Sequence, residues 1–244
     1  CGSEYMRSKP AVVAARLAEE KADLAIAFDG DTDRVIMMDE NGNLIDGDHM
    51  LALLAEELHG QGHLLGDALV TTVMANGALR QFADQKGFTL LQTPVGDKYV
   101  TEELVHLAEE HDPNGKLGLG GEQSGHIILF DEDHRTGDGI RTALFILNLL
   151  TETPGQTLSQ LAKRIEKYTQ VVASCNVAAK PNLDELPLFQ ERLERMKTEL
   201  PGLVQWNSRY SGTEPKYRLM IEADQRSNTQ DVARVAWEVC DLIQ

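Results

Sequence analysis

Between Leu24 and Glu152, short apolar runs alternate with segments whose apolar residues recur at helical spacing. The strand-like runs are DLAIAFD, ALVTTVM and FTLLQTPVG, and the helix-like segments include GDHMLALLAEEL, NGALRQFADQKG and YVTEELVHLAEE. Strands that alternate with helices of this length are typical of an α/β layer with crossover connections. The pattern therefore predicts a mixed-sheet α/β fold for this part of the chain.

Local signals refine several of these elements. RVIMMDENGNLID reads as two strands joined by a hairpin turn at Asn41-Gly42, and Asp46 is placed to cap the helix that follows. Gly87 closes another helix, and AVVAARLAEEKAD near the start is also helical. DGIRTALFILNLLTET predicts a long helix that is mostly buried.

The pattern changes at Thr153-Pro154-Gly155, so we expect a domain boundary between residues 151 and 160. A predicted helix, TLSQLAKRIEKY, is followed by a strand, QVVASCNVAA, and a second helix, LDELPLFQERLERMKTEL. A strand-turn-strand segment around SRYSGTEPKYRLMIEA and the helix TQDVARVAWEVCDLI complete the chain. This order indicates a smaller α+β domain with its own core.

Composition and charge restrict the function. The 244 residues are 42% hydrophobic, and 39 acidic against 23 basic residues give a formal charge of -16. Nonspecific nucleic-acid binding depends on Lys and Arg, so it is not expected, whereas a few local cations could still bind a small anion. The cysteines Cys1, Cys175 and Cys240 form no CxxC pair, and the apolar runs are too short to span a bilayer. We expect a cytoplasmic protein that is not in a membrane.

The first candidate site is the stretch DGDTDR. Asp29, Asp31 and Asp33 alternate, and hard oxygen ligands on one tight loop suit Mg²⁺ or Ca²⁺. An EF-hand is rejected because its sixth position, normally Gly, is Arg34. A haloacid-dehalogenase-type phosphatase, with Asp29 as nucleophile, and a solvated acidic turn stay open as alternatives.

The second candidate is GGEQSGH. If this segment is extended, Glu122, Ser124 and His126 point the same way. A carboxylate, a hydroxyl and an imidazole on one face suit sugar hydroxyls, which both donate and accept hydrogen bonds. A glycine turn with incidental polar residues is the alternative.

The third candidate is RYSGTEPKYR, which suits phosphate. Arg209 supplies a planar fork, Ser211 and Thr213 supply hydroxyls, and Gly212 frees backbone N–H groups to form an anion-binding nest. Arg218 is a possible further cation, and an ordinary turn is the alternative. In TPVGDKYV, Lys98 or Asp97 at a strand end could reach a ligand, although a surface lysine is the usual outcome.

These loops, in this order, resemble those of the α-D-phosphohexomutase family, and the resemblance covers essentially all 244 residues. It implies that residues 1–42 are the end of a second domain with the metal loop, residues 43–152 a third domain and residues 153–244 a fourth. It also implies Mg²⁺ on Asp29, Asp31 and Asp33, and Arg34 beside the reacting phosphoryl group. Glu122 and Ser124 would bind the sugar hydroxyls with His126 nearby, and Lys98 matches less closely. Arg209, Ser211, Gly212, Thr213 and Arg218 would bind the phosphate that is not transferred.

The family reaction is an isomerisation by phosphoryl transfer. A phosphoserine in a loop resembling Thr-Ala-Ser-His-Asn-Pro phosphorylates the sugar phosphate, and the bisphosphorylated sugar turns round and returns the other phosphoryl group. No Ser here is followed by His-Asn-Pro. The resemblance therefore predicts a fragment that lacks its N-terminal domains, binds Mg²⁺ weakly and is inactive alone.

Gln123 favours the glucosamine branch, so glucosamine 6-phosphate and glucosamine 1-phosphate are the expected substrates. A phosphomannomutase or phosphoglucomutase fragment and a non-catalytic sugar-phosphate-binding module are the alternatives.

Overall fold

A computed structural model describes residues 2–212 and 214–243, so Cys1, Thr213 and Gln244 lie outside the described residues. The chain divides into two compact units, Cys1–Glu166 and Lys167–Gln244. None of the helices in the described ranges combines the length and the apolar character that a membrane span requires. The three-domain division at residues 42 and 152 stays a prediction.

The first unit contains seven helices and seven strands among its described residues. The helices are α1 (Gly2–Ser8), α2 (Pro10–Glu20), α3 (Gly47–Gly60), α4 (Ala78–Lys86), α5 (Asp97–Glu110), α6 (Gly139–Glu152) and α7 (Leu158–Ala162). The strands are β1 (Leu24–Phe28), β2 (Val35–Asp39), β3 (Leu44–Ile45), β4 (Leu64–Thr72), β5 (Thr89–Thr93), β6 (Leu117–Gly121) and β7 (Ile127–Phe130).

These strands form two sheets. β1, β2 and β3 are antiparallel in that order. The second sheet has the order β5-β4-β6-β7, in which β4 is parallel to β5 and β6 while β7 is antiparallel to β6. The predicted mixed-sheet α/β fold is confirmed.

The order of the second sheet reverses direction at β4. The chain leaves β4 for β5 on one side, then crosses through α5 to β6 on the other side of β4. Such a reversal of strand order opens a crevice at the carboxyl ends of the two strands. Here that edge includes Thr72 at the end of β4 and Gly121 at the end of β6, next to Glu122.

Several predicted local devices are present in the first unit. The β2–β3 hairpin turns at Asn41-Gly42, where Gly42 has a φ of +84°. Buried Asp39 holds the turn, because its Oδ1 accepts hydrogen bonds from the N–H groups of Asn41 at 2.9 Å and Asn43 at 2.8 Å. Asp46 caps α3.

Other elements of this unit differ from the prediction. The additional helix α1 precedes α2. TLSQLAKRIEKY is helical only over α7; just beyond it, the Arg164 guanidinium lies 3.3 Å from a carboxylate oxygen of Glu56 on α3. Helix α6 is not buried throughout: Leu144 is 60% exposed.

The second unit is a three-stranded antiparallel sheet covered by two helices. Its elements are β8 (Thr169–Asn176), a short 3₁₀ helix (Leu183–Glu185), α8 (Pro187–Glu199), β9 (Leu203–Tyr210), β10 (Lys216–Ala223) and α9 (Thr229–Asp241). The strand order is β8-β10-β9. The sequence LDELPLFQERLERMKTEL, predicted as one helix, is broken before Pro187, which begins α8 because proline suits the first turn.

The core of the second unit lies between one face of the sheet and the two helices. Tyr217, Leu219 and Ile221 alternate on β10 and are fully buried with Phe189 of α8 and Val235 of α9. Burial of side chains of this size stabilises a fold by about 1.5–3 kcal/mol each. The predicted smaller α+β domain at the C-terminal end is confirmed.

Candidate functional site

The predicted metal loop connects β1 to β2 in the first unit. One carboxylate oxygen from each of Asp29, Asp31 and Asp33 lies within 4.8 Å of the others. The N–H of Arg34 closes the loop by donating to Asp29 Oδ1 at 3.1 Å. The alternating spacing therefore produces a cluster of three carboxylates at the end of an apolar strand.

The electrostatics of this loop favour a cation. Burial raises the pKa of Asp33, and the hydrogen bond that it shares with Asp29 raises it further. Burial also acts on Asp29, but hydrogen bonds from the Arg34 N–H and from Asp33 outweigh it and lower the pKa. The Nε of Arg34 is 3.9 Å from Asp29 and 4.0 Å from Asp33, too far for strong hydrogen bonds.

The donor set fits a hard divalent ion. Asp33 Oδ1 is buried and accepts no hydrogen bond from any described residue. Oxygens bound to one Mg²⁺ at about 2.1 Å lie at most about 4.2 Å apart, so small side-chain rotations would bring the three carboxylates to that spacing.

The predicted sugar loop, residues 122–126, connects β6 to β7 and lies against the metal loop. The N–H of Val35 donates to Gly125 O at 3.1 Å, and Arg34 forms an isolated antiparallel bridge with His126. The Nε2 of His126, which is almost fully buried, is 3.3 Å from Asp33 Oδ2. The structure thus brings Asp33, Arg34 and His126 together.

The sugar loop is a tight turn, as in the glycine-turn alternative, and not an extended segment. The N–H of Gly125 donates to Glu122 O at 3.0 Å, and Gly125 has a φ of +91°. A side chain at Gly125 would also collide with the Val35 carbonyl, because the two loops approach so closely. Ser124 Oγ is buried without a hydrogen-bond partner, and the half-buried Glu122 carboxylate accepts no hydrogen bond, as far as the described residues go. Both groups therefore keep unused hydrogen-bonding capacity.

Three residues that support these loops escaped the sequence analysis. Asp48 on α3 is fully buried, and its Oδ2 accepts a hydrogen bond from the Gln123 side chain at 2.8 Å. The N–H of Gly139, at the start of α6, donates to Thr32 O at 2.9 Å. A side chain at Gly137 would overlap the His126 imidazole. Gly137 and Gly139 are closely spaced glycines in the stretch HRTGDGI, residues 134–140, and this spacing is visible in the sequence. Only the fold shows which residues they contact.

Lys98 is not joined to these loops. It lies in the first turn of α5, and its side chain is 74% exposed. Its Nζ is 3.6 Å from Glu102 and 5.8 Å from the centre of the Tyr99 ring. None of its described contacts reaches residues 29–34 or 122–126.

The predicted phosphate loop connects β9 to β10 in the second unit. Arg209 and Arg218 are directly opposite each other on these strands. Like charges in this arrangement repel, so an anion between them would be stabilising. No described residue forms a hydrogen bond or an ion pair with Arg209, whereas Arg218 donates to Glu214 Oε2 at 2.6 Å.

The remaining residues of this loop are partly engaged. Ser211 is buried, and its N–H donates to Lys216 O at 2.8 Å. Gly212 is exposed, and its N–H is free of described partners. Thr213 lies outside the described residues. Lys180, which the sequence analysis did not single out, donates to Ser211 O at 2.5 Å and adds a cation.

Comparison with known families gives a match over about half of the chain. The family model described as phosphoglucomutase/phosphomannomutase, alpha/beta/alpha domain III, matches residues 46–168.

Curated relatives match along the whole chain. The phosphoglucosamine mutase of Nitratidesulfovibrio vulgaris (strain DP4) is 41% identical over 244 residues, which is 100% of this chain and 50% of that protein. The phosphoglucosamine mutase of Staphylococcus aureus (strain JH9) is 36% identical over 244 residues, which again is 100% of this chain and 50% of that protein. The chain therefore spans about half the length of these relatives.

Solved structures share the fold. N-acetylphosphoglucosamine mutase of Aspergillus fumigatus, in complex with GlcNAc-6P and magnesium, has a TM-score of 0.71 at 21% identity and covers 100% of this chain and 53% of that one. A phosphoglucomutase/phosphomannomutase family protein of Burkholderia thailandensis has a TM-score of 0.69 at 22% identity. The match covers 98% of this chain and 50% of that one.

Proposed function

The chain belongs to the phosphoglucomutase/phosphomannomutase family of α-D-phosphohexomutases, and on that premise we propose that it carries the metal-, sugar- and phosphate-binding parts of a phosphosugar mutase. The reaction is the interconversion of glucosamine 6-phosphate and glucosamine 1-phosphate, an isomerisation. The observation that carries the proposal is the contact between the carboxylate loop and the sugar loop, through Val35–Gly125 and Asp33–His126. The 36–41% identity to phosphoglucosamine mutases supports the choice of sugar.

In the first unit, Asp29, Asp31 and Asp33 would hold Mg²⁺, which neutralises charge on a phosphoryl group when bound. The solved relative that contains magnesium supports this ion over Ca²⁺. Arg34, which is half-exposed beside the carboxylates, would contact the reacting phosphoryl group. Glu122 would accept hydrogen bonds from sugar hydroxyls, and Ser124 would both donate and accept them. His126 would remain beside Asp33.

In the second unit, Arg209, Ser211, Gly212, Thr213 and Arg218 would bind the phosphate that is not transferred. The Arg209 guanidinium can donate two parallel hydrogen bonds to phosphate oxygens, and no described residue accepts hydrogen bonds from it. Lys98 would act only if α5 or its own side chain moved toward the ligand, because it points into solvent.

The domain assignment belongs to the same proposal. Residues 1–42 would be the end of a second domain, 43–152 a third and 153–244 a fourth. The missing phosphoserine loop would come from N-terminal domains, so we expect no turnover of sugar phosphates by these 244 residues alone.

Calorimetric titration of the chain with glucosamine 6-phosphate tests the binding roles. We expect weak binding whose dissociation constant changes when Mg²⁺ is added. Glu122→Ala, in the first unit, should abolish this binding. Arg209→Ala, in the second unit, should abolish it too. Glucose 6-phosphate and mannose 6-phosphate, titrated in parallel, should bind more weakly. Equal binding of the three sugars would favour the phosphomannomutase or phosphoglucomutase alternative.

The same preparation separates the mutase proposal from a phosphatase. A phosphatase with Asp29 as nucleophile would hydrolyse phosphate esters, and Asp29→Asn would abolish that activity. We expect no phosphate release from p-nitrophenyl phosphate. Release that Asp29→Asn abolishes would contradict the mutase assignment of this loop.

A further inference from the structure

The phosphate loop contains its own counter-anion. Both carboxylate oxygens of Glu214 are engaged: Lys216 Nζ donates to Oε1 at 2.7 Å, and the Arg218 guanidinium donates to Oε2 at 2.6 Å. The hydrogen bond from Lys216 and its charge, with a smaller effect from Arg218, lower the pKa of Glu214. Glu214 is therefore ionised at neutral pH.

Glu214 is an acidic residue in an otherwise cationic segment. Arg218 lies opposite Arg209, and Lys180 reaches the same loop from the segment after β8. Arg209 has no ion-pair partner among the described residues, so Glu214 compensates Lys216 and Arg218 and leaves Arg209 uncompensated. A phosphate that approaches Arg209 and Arg218 must compete with the Glu214 carboxylate for the Arg218 guanidinium.

We propose that Glu214 is an internal counter-anion that limits the affinity of this loop for phosphate by competing for the Arg218 guanidinium. The inference rests on the proposed function, because it assumes that the loop binds phosphate. The mutase cycle gives a reason for such a limit: the bisphosphorylated sugar must turn round, so a phosphate has to leave this loop in every cycle. Glu214 thus sets the affinity of the loop.

The test is the dissociation constant of inorganic phosphate, measured by calorimetry on the 244-residue chain at about 0.1 M salt. Glu214→Gln removes one negative charge and keeps the side-chain shape. We expect it to tighten phosphate binding about three- to tenfold, because exposed charge pairs change binding by up to about fivefold and phosphate carries more than one charge.

Asp224→Asn is the matched control. Asp224 also pairs through both oxygens with an arginine, Arg226, but it follows the far end of β10. Asp224 is eight positions along the chain from Lys216, roughly 26 Å in an extended strand, which exceeds the screening length of about 10 Å. We expect no change in phosphate affinity, so a loop-specific effect is distinguished from a change in total charge.

Each result decides the proposal. The proposal is overturned if Glu214→Gln binds phosphate as tightly as the wild-type chain or more weakly. It is also overturned if Asp224→Asn tightens phosphate binding as much as Glu214→Gln does. Loss of binding in Arg209→Ala upholds the phosphate role of the loop whatever Glu214→Gln does, so the two claims can fail separately. Absence of phosphate binding in both the wild-type chain and Glu214→Gln overturns the phosphate role, and the inference with it.

Discussion

Asp48 lies in the first turn of α3 without exposed surface, and its Oδ2 accepts hydrogen bonds from Gln123 Nε2 at 2.8 Å and from the Asn76 N–H at 3.3 Å. Asp48→Asn replaces one carboxylate oxygen with an amide NH2, and leaving a buried hydrogen-bonding group unsatisfied costs about 1–3 kcal/mol. We therefore expect Asp48→Asn to lower the free energy of unfolding by about 1–3 kcal/mol. Urea unfolding followed by circular dichroism measures the change.

Asp84 provides the control for this prediction. It is exposed on α4, and Asp84→Asn should change the free energy of unfolding by less than about 0.5 kcal/mol. An effect of Asp48→Asn as small as that of the control would show that the buried carboxylate does not stabilise the sugar loop.

At the residue scale, prediction from sequence depends on how local the interaction is. The alternating spacing of Asp29, Asp31 and Asp33 is enough to predict that their carboxylates cluster, because all three are on one short loop. The contact between Gln123 and Asp48 joins segments 75 residues apart, and no local pattern indicates it. The same is true of Gly137 beside His126.

At the scale of elements, Glu40 joins the β2–β3 hairpin to α7. Ser159 Oγ donates to Glu40 Oε1 at 2.5 Å, and the Ser159 N–H donates to Oε2 at 3.3 Å. Burial raises the pKa of Glu40, but the hydrogen bonds from Ser159 and Thr157 outweigh it and lower the pKa from 4.5 to about 2. A lowered pKa in the folded state means that the carboxylate form stabilises the fold.

This linkage predicts a pH window. The stabilisation by Glu40 should be complete above pH 4.5 and should decline as the pH falls toward about 2. We expect Glu40→Gln to cost about 1–2 kcal/mol at pH 7, with a difference from wild type that shrinks below pH 4.5. Denaturant unfolding at several pH values measures it, with the exposed Glu132→Gln as control. A difference that stays constant down to pH 3 would contradict the assignment.

Elements with strong local signals are found from sequence, and their ends are not. The Asn41-Gly42 turn and the Asp46 cap are determined by residues within a few positions of each other, and both are present. The end of α7 lies beside Arg164, which pairs with Glu56 of α3, and tertiary contacts routinely override helix propensity.

At the scale of the whole molecule, the order of apolar runs in the sequence is enough to predict the fold class. It does not predict which sheet edges are exposed. Among the described strands, β1 pairs only with β2, and its five residues, LAIAF, are uncharged and only half-buried. An uncharged apolar edge strand is a template for pairing with another chain. We therefore expect these 244 residues to self-associate as concentration rises, which sedimentation velocity over a concentration series measures.

Ile26→Lys tests the edge directly, because a lysine in the middle of β1 opposes strand pairing between chains. We expect it to shift the chain toward monomer, while Val12→Lys, at a residue of α2 that is 53% exposed, should not. Circular dichroism checks that both variants fold. If Val12→Lys disperses the chain as well as Ile26→Lys does, association arises from general apolar exposure, and the edge of β1 has no special role. A wild-type chain that is monomeric at every concentration would contradict the prediction and show that the edge of β1 does not drive association.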